Sequence, residues 1–129
     1  MLDHIGFPVS NFLVSKKFYQ AVLEPLGIGV MMEVTAEQTG GSSHAGFGDS
    51  GKPYFWIGDG EGMVRGRFHI AFTAKTRADV DAFHRAALAA GGRDNGSPGL
   101  RPHYHEHYYA AFVLDPDGHN VEAVCHAPE

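Results

Sequence analysis

His4-Ile5-Gly6-Phe7, close to the start of the chain, returns 65 residues later as His69-Ile70-Ala71-Phe72. The same offset pairs Phe18 with Phe83, Ala21 with Ala86, Leu23 with Leu88 and Gly27 with Gly92. Because 65 is close to half of 129 residues, the repeat is the whole chain. A sequence built this way is confined to two similar modules, and a pseudo-twofold between them brings equivalent positions face to face. Two histidines that open two equivalent strands would then meet near the axis. One carboxylate beside them would complete a metal site.

Each half reads strand, helix, then strands. Leu2 to Pro8 alternates well enough for a strand that Pro8 ends. Ser10 offers an N-cap for a helix reaching about Pro25, with Leu13, Val14, Phe18, Ala21 and Val22 as its apolar stripe. Gly27 and Gly29 stop it. Ile28 to Val34 suits a strand, Thr39 to Pro53 reads as loop around a short strand, and Tyr54 to Ile57 closes the module as a strand. In the second half Arg67 to Thr73 is a strand. Thr76 with Asp79 resembles a capping box ahead of Val80, Phe83, Ala87 and Leu88 at helical spacing, and Gly91-Gly92 supplies the stop. Asn95 to Pro102 reads as loop, Tyr108 to Leu114 as strand, Asp115 to Gly118 as turn and Asn120 to Cys125 as the final strand.

The join at Gly58 to Gly66 is too short to separate independent domains. One α+β domain over 1–129 is expected, with modules at about 1–60 and 65–129. A hydrophobic share of 43% is enough for one proper core. A net charge of −5 with no Lys/Arg run argues against nucleic acid. The single cysteine, Cys125, allows no intrachain disulfide framework and reads as a small hydrophobe in a strand. No leader pattern opens the chain, and no apolar stretch nears the roughly 20 residues of a membrane span. A cytoplasmic protein off the membrane is therefore expected.

The two His-Ile-x-Phe strands, the helices and the ending Asp115-Pro116-Asp117-Gly118-His119-Asn120-Val121-Glu122 resemble the vicinal oxygen chelate superfamily over essentially the whole chain. That group includes glyoxalase I, extradiol dioxygenases, fosfomycin-inactivating thiol transferases and metal-free bleomycin-binding proteins. The resemblance implies two βαβββ modules whose sheets form an open cleft. It implies metal ligands at His4, His69 and Glu122, a divalent ion (Zn, Ni, Mn or Fe(II)), a small-molecule substrate with vicinal oxygens, and a homodimer in which ligands come from one chain or two. Two imidazoles and a carboxylate suit such an ion and leave positions open for substrate. The fourth ligand position of the superfamily falls on Ile57 or, with a one-residue gap, on Trp56, and neither can ligate. Singly, each of the three residues is ordinary; together, at repeat-equivalent positions, they point to metal.

His103, His105 and His107 alternate, so an extended segment would turn all three imidazoles one way, as a lid offering an acid/base near neutrality. Tyr54 is a further hydrogen-bond donor. His84, His119 and His126 read as structural. Phe112 stands where an extradiol enzyme carries a tyrosine, which favours lyase, isomerase or transferase chemistry over Fe(II)-dependent ring cleavage. The alternative class is a metal-free binding protein with an apolar cleft lined by Tyr54, Phe55, Trp56 and Phe112.

Overall fold

Alternation of buried and exposed residues sets the strands, and helical spacing sets the layer that covers them. The computed structural model describes residues 1–60 and 68–129. In the first half β1 (Ile5–Pro8) leads to α1 (Phe12–Leu23), a 3-10 turn (Glu24–Leu26), β2 (Gly29–Val34), α2 (Ala36–Thr39), β3 (His44–Gly48) and β4 (Phe55–Gly58). The second half runs β5 (His69–Thr73), α3 (Arg77–Ala89), β6 (Arg93–Leu100), β7 (Tyr109–Leu114) and β8 (Asn120–Cys125). The two sheets share one topology, β1-β4-β3-β2 and β5-β8-β7-β6, so the α+β double module expected from the repeat is what forms.

Local details differ from the sequence expectations in ways that packing explains. Asn11, not Ser10, caps α1, accepting from Val14 N at 3.2 Å. Ser10 is spent elsewhere: its N donates to Asp117 Oδ2 at 3.0 Å and its hydroxyl to Asp117 Oδ1. The buried side of α1 is Phe12, Ser15, Phe18, Tyr19, Val22 and Leu23, while Leu13 and Val14 are exposed. In α3, capped by Thr76, Val80, Phe83 and Ala87 are buried but Leu88 is exposed. Residues 93–100 form an edge strand rather than a loop, with register shifts around Gly96. Pro98 is tolerated there because an edge strand has amides that need no ladder partner. Arg67 and much of the Gly58–Gly66 join lie outside the described residues.

The helix-covered faces of both sheets meet in one core. Phe7, Phe55, Ile57 and Phe47 from the first sheet join Phe72, Val113, Val121 and Ala123 from the second, with Tyr19, Phe18 and Phe83 between. Contact across the halves is direct: the Phe55 and Phe72 rings are 5.1 Å apart, edge to face, and Phe7 is 4.7 Å from Phe68. Among the described residues the opposite faces carry no long helix, and on them His4, His69, Ala71 and Thr73 are exposed. Cys125 is buried at the end of β8.

The 65-residue offset holds for the first strand of each half and slips by one for the last. Gly6 pairs with Trp56, and its repeat mate Ala71 pairs with Glu122, so Trp56 stands where the second sheet has its carboxylate.

The Asp115 to Gly118 turn is clamped from inside. Asp115, buried, accepts from Tyr19 OH at 2.5 Å, from His119 Nδ1 at 3.0 Å and from the amides of Asp117 and His119. His119 is buried within this clamp, and His84 sits 2.9 Å from Asp94. Burial, then the Asp115 charge, raises the Tyr19 pKa well above the ordinary tyrosine value of 10.0. A raised folded-state pKa adds stability that is whole below the unfolded value and is lost as pH climbs through it. The melting temperature is therefore expected to fall above about pH 10. Tyr19→Phe should flatten that fall while lowering stability at pH 7. An equally steep alkaline fall in the variant, followed by circular dichroism, would contradict this.

Candidate metal and substrate site

Glu122 sits in the middle of β8 and is 1% exposed. Val121, Ala123 and Cys125 point into the core, so strand alternation sends Glu122 to the open face. A carboxylate buried there must be bonded. Oε1 lies 2.9 Å from His69 Nε2, and Oε2 accepts from the Tyr108 hydroxyl. Registration explains the grouping. His69 is two residues before Ala71, the partner of Glu122 on β5. Tyr108 is in phase with Phe112, the partner of Glu122 on β7. Phe112 stacks on His69 with centroids 6.1 Å apart at 27°, and Arg101 lies 5.4 Å over the Phe112 ring. Burial, then the bond to Glu122 and its charge, pushes the Tyr108 phenol far above its usual pKa, so it remains a donor at neutral pH.

His4 lies on the other module. It precedes β1, is exposed, and its Nδ1 is 2.6 Å from Asp3 Oδ2. The His4 hydrogen bond first, and Lys52 second, hold the Asp3 carboxyl below its usual range. His4 and Tyr54 line a cavity of about 580 Å³ at the seam between the sheets, with Ile5, Ile70 and Phe72. Burial and Asp49 raise the Tyr54 pKa. Among the described residues of one chain, no three His, Cys, Asp or Glu side chains gather closely enough to hold a metal. A single chain therefore brings His69 and Glu122 together without His4.

The histidine cluster does not form the extended lid that its alternation predicts. Tyr104 N and His105 N both donate to Arg101 O, folding residues 102–107 into turns. His103 packs on Tyr104 at 4.2 Å, His105 on His126 at 6.0 Å, and His107 approaches Glu106 at 3.9 Å. The side chain that reaches Glu122 from this stretch is Tyr108. A period-two count back from Phe112 puts it on the open face, but only the β7–β8 register brings it to Glu122. Of the aromatic residues expected to line a cleft, Tyr54 and Phe55 line the cavity at the seam, although Phe55 also packs into the core. Trp56 and Phe112 lie apart from that cavity, on the open faces of the two sheets.

The sequence model of the Glyoxalase/Bleomycin resistance protein/Dioxygenase superfamily matches residues 1–123. A glyoxalase/bleomycin resistance protein from Albidiferax ferrireducens T118 is similar at 30% identity and TM-score 0.76, over 95% of this chain and 97% of that one. A glyoxalase/bleomycin resistance protein/dioxygenase family enzyme from Burkholderia phytofirmans PsJN is 20% identical, with TM-score 0.68 over 98% of both chains. Glyoxalase I from Zea mays is 19% identical with TM-score 0.72, over 97% of this chain and 46% of the maize chain. The last two likenesses are of fold alone. No curated protein matches the chain.

Proposed function

The chain belongs to the glyoxalase/bleomycin resistance protein/dioxygenase superfamily, and we propose that it is a metal-dependent enzyme acting on a small substrate with vicinal oxygens. The observation that carries this is Glu122, a buried carboxylate on an open face with His69 on one oxygen and a phenol on the other. Burying the Glu122 carboxylate beside a half-exposed imidazole costs desolvation free energy that its two partners must offset. The donor set fits a divalent ion of the Zn, Ni, Mn or Fe(II) kind. His69 and Glu122 of one copy and His4 of a second copy would hold it in a homodimer, whose paired open faces also cover the sheets. When bound, the ion would polarise the substrate oxygens and stabilise the anion that forms on them.

The chain's own residues then do the rest. Tyr108 holds the free edge of Glu122 and keeps it oriented. Phe112 fixes the His69 ring plane and offers no proton above it, which favours lyase, isomerase or transferase chemistry over ring cleavage with Fe(II). A cytoplasmic setting accords with a lone, buried cysteine. Among the described residues no helix is long and apolar enough to cross a membrane.

Protein stripped with chelator and then given Mn, Zn or Ni at about a hundred times its Kd should gain about 2.7 kcal/mol of stability. Glu122→Gln should gain none. An unchanged melting temperature for the wild type would end the metal proposal. Anaerobic Fe(II) reconstitution followed by oxygen uptake with catechols, beside a hemithioacetal assay, separates the chemistries. Oxygen consumption with ring cleavage would reverse the preference for non-oxidative chemistry.

A further inference from the structure

Four side chains cross the open face of the second sheet in strand order: His69 from β5, Glu122 on β8, Phe112 on β7 and Arg101 just past β6. Arg101 has no part in holding a metal, yet its place is closely built. Nη1 donates to Gly99 O and Nη2 to Ser97 O, both at 2.8 Å, and Cζ lies 5.4 Å over the Phe112 ring. The strand beneath is bare where the guanidinium lies. A Cβ on Gly96 would come within 3.3 Å of Nη2, and one on Gly99 within 3.2 Å of Nη1. A guanidinium carries five N–H donors in a planar fork, and these two bonds leave the others over. Among the described residues no carboxylate pairs with Arg101, although the chain has 15 acidic residues to 10 basic ones. Its charge is felt at the site. Burial, then the bond to Glu122, raises the Tyr108 pKa, and Arg101 opposes that rise. A brace for the irregular edge of β6 accounts for the two carbonyl bonds. It does not account for the unspent donors or for an unpaired cation beside Glu122.

We propose that Arg101 selects substrates that carry a carboxylate in addition to their vicinal oxygens, with the oxygens at His69 and Glu122 and the carboxylate on the unspent guanidinium donors. This step rests on the metal proposal and names the class of substrate for that site. The planar fork suits a carboxylate because it can make two parallel charge-assisted bonds to it. The two carbonyls and the Phe112 ring hold the fork in place beforehand, so little side-chain freedom is lost on binding. Two strand spacings, about 10 Å in all, separate β8 from β6. The substrate therefore needs a body of roughly that reach, with its chelating oxygens at one end and its carboxylate at the other. Phe112, between the two ends, offers that body an apolar wall.

The test compares 3,4-dihydroxyphenylacetate with 4-methylcatechol on zinc-loaded protein by titration calorimetry. The two probes share ring and diol, and only the first has a carboxylate. An affinity about tenfold higher for the carboxylate is expected, the worth of one bond to a charged group. In a chain of net charge −5 such a preference for the anion has to be local. Salt should shrink it. Arg101→Gln should bring the ratio of the two affinities to about one. Arg101→Lys, which keeps the charge without the fork, serves if the glutamine variant does not fold, and should keep only part of the preference. Equal affinities in the wild type would overturn the proposal. So would a ratio unchanged in both variants, even with both probes weakened, since that marks Arg101 as a brace alone. Zinc that tightens neither probe would overturn the metal proposal and this one with it, whereas zinc that tightens both equally would overturn this one only.

Discussion

His4→Ala and Glu122→Ala, each without metal as purified, are expected to regain metal binding when unfolded together and refolded as a mixture. Each variant alone should lose at least about a hundredfold in affinity, since even the partners of metal ligands are worth 10- to 100-fold. One chain places His69 and Glu122 within 2.9 Å of each other but leaves His4 on the other module, bonded to Asp3. If each site joins His4 of one copy to His69 and Glu122 of another, a mixed dimer holds one site with both defects and one with none. Random pairing makes half the dimers mixed, so about a quarter of the wild-type sites should return. Metal counted by mass spectrometry after gel filtration reads the result. No recovery would mean that the ligands come from one chain, in an arrangement other than the one described.

What was legible in the sequence follows the range over which each signal acts. The repeat foretold two equal sheets because strand and helix order are local properties, and equivalent residues such as Phe18 and Phe83 are both buried in the common core. His69 and Glu122 were expected together only through the resemblance to the superfamily, and it is the β5–β8 pairing that brings their side chains into contact. Tyr108 was missed because its role needs the β7–β8 register, which places Phe112, not Tyr108, opposite Glu122. The phenol reaches back diagonally across the pleats. The histidine alternation misled because Arg101 O captures two amides and bends the segment, a contact that no side-chain pattern encodes. Leu13 and Val14 looked like stripe residues because they are apolar, but the helix packs the face carrying Phe12, Ser15, Phe18, Tyr19, Val22 and Leu23 and leaves those two exposed. The Trp56 position was ambiguous because of a one-residue slip between first and last strands of the repeat.

Phe55→Ala should cost about 3–5 kcal/mol, the range for deleting a buried phenylalanine ring. Phe55 is fully buried, and its ring is 5.6 Å from Phe7, 5.0 Å from Tyr19, 5.8 Å from Phe47 and 5.1 Å from Phe72. Three of those contacts lie within the first module and the fourth crosses to the second, so the truncated site is walled by rigid rings that cannot all collapse inward. Against a total stability of about 5–15 kcal/mol, such a loss leaves a marginal protein. The form of the melt is the sharper test. Two modules sharing one core should still unfold in a single transition, lowered by about 10–20 °C for a chain of this size. Calorimetry of Phe55→Ala that resolved two transitions, with the second module melting near the wild-type temperature, would show that the halves hold themselves up separately. A cost below about 1 kcal/mol would show that the ring is not packed as described.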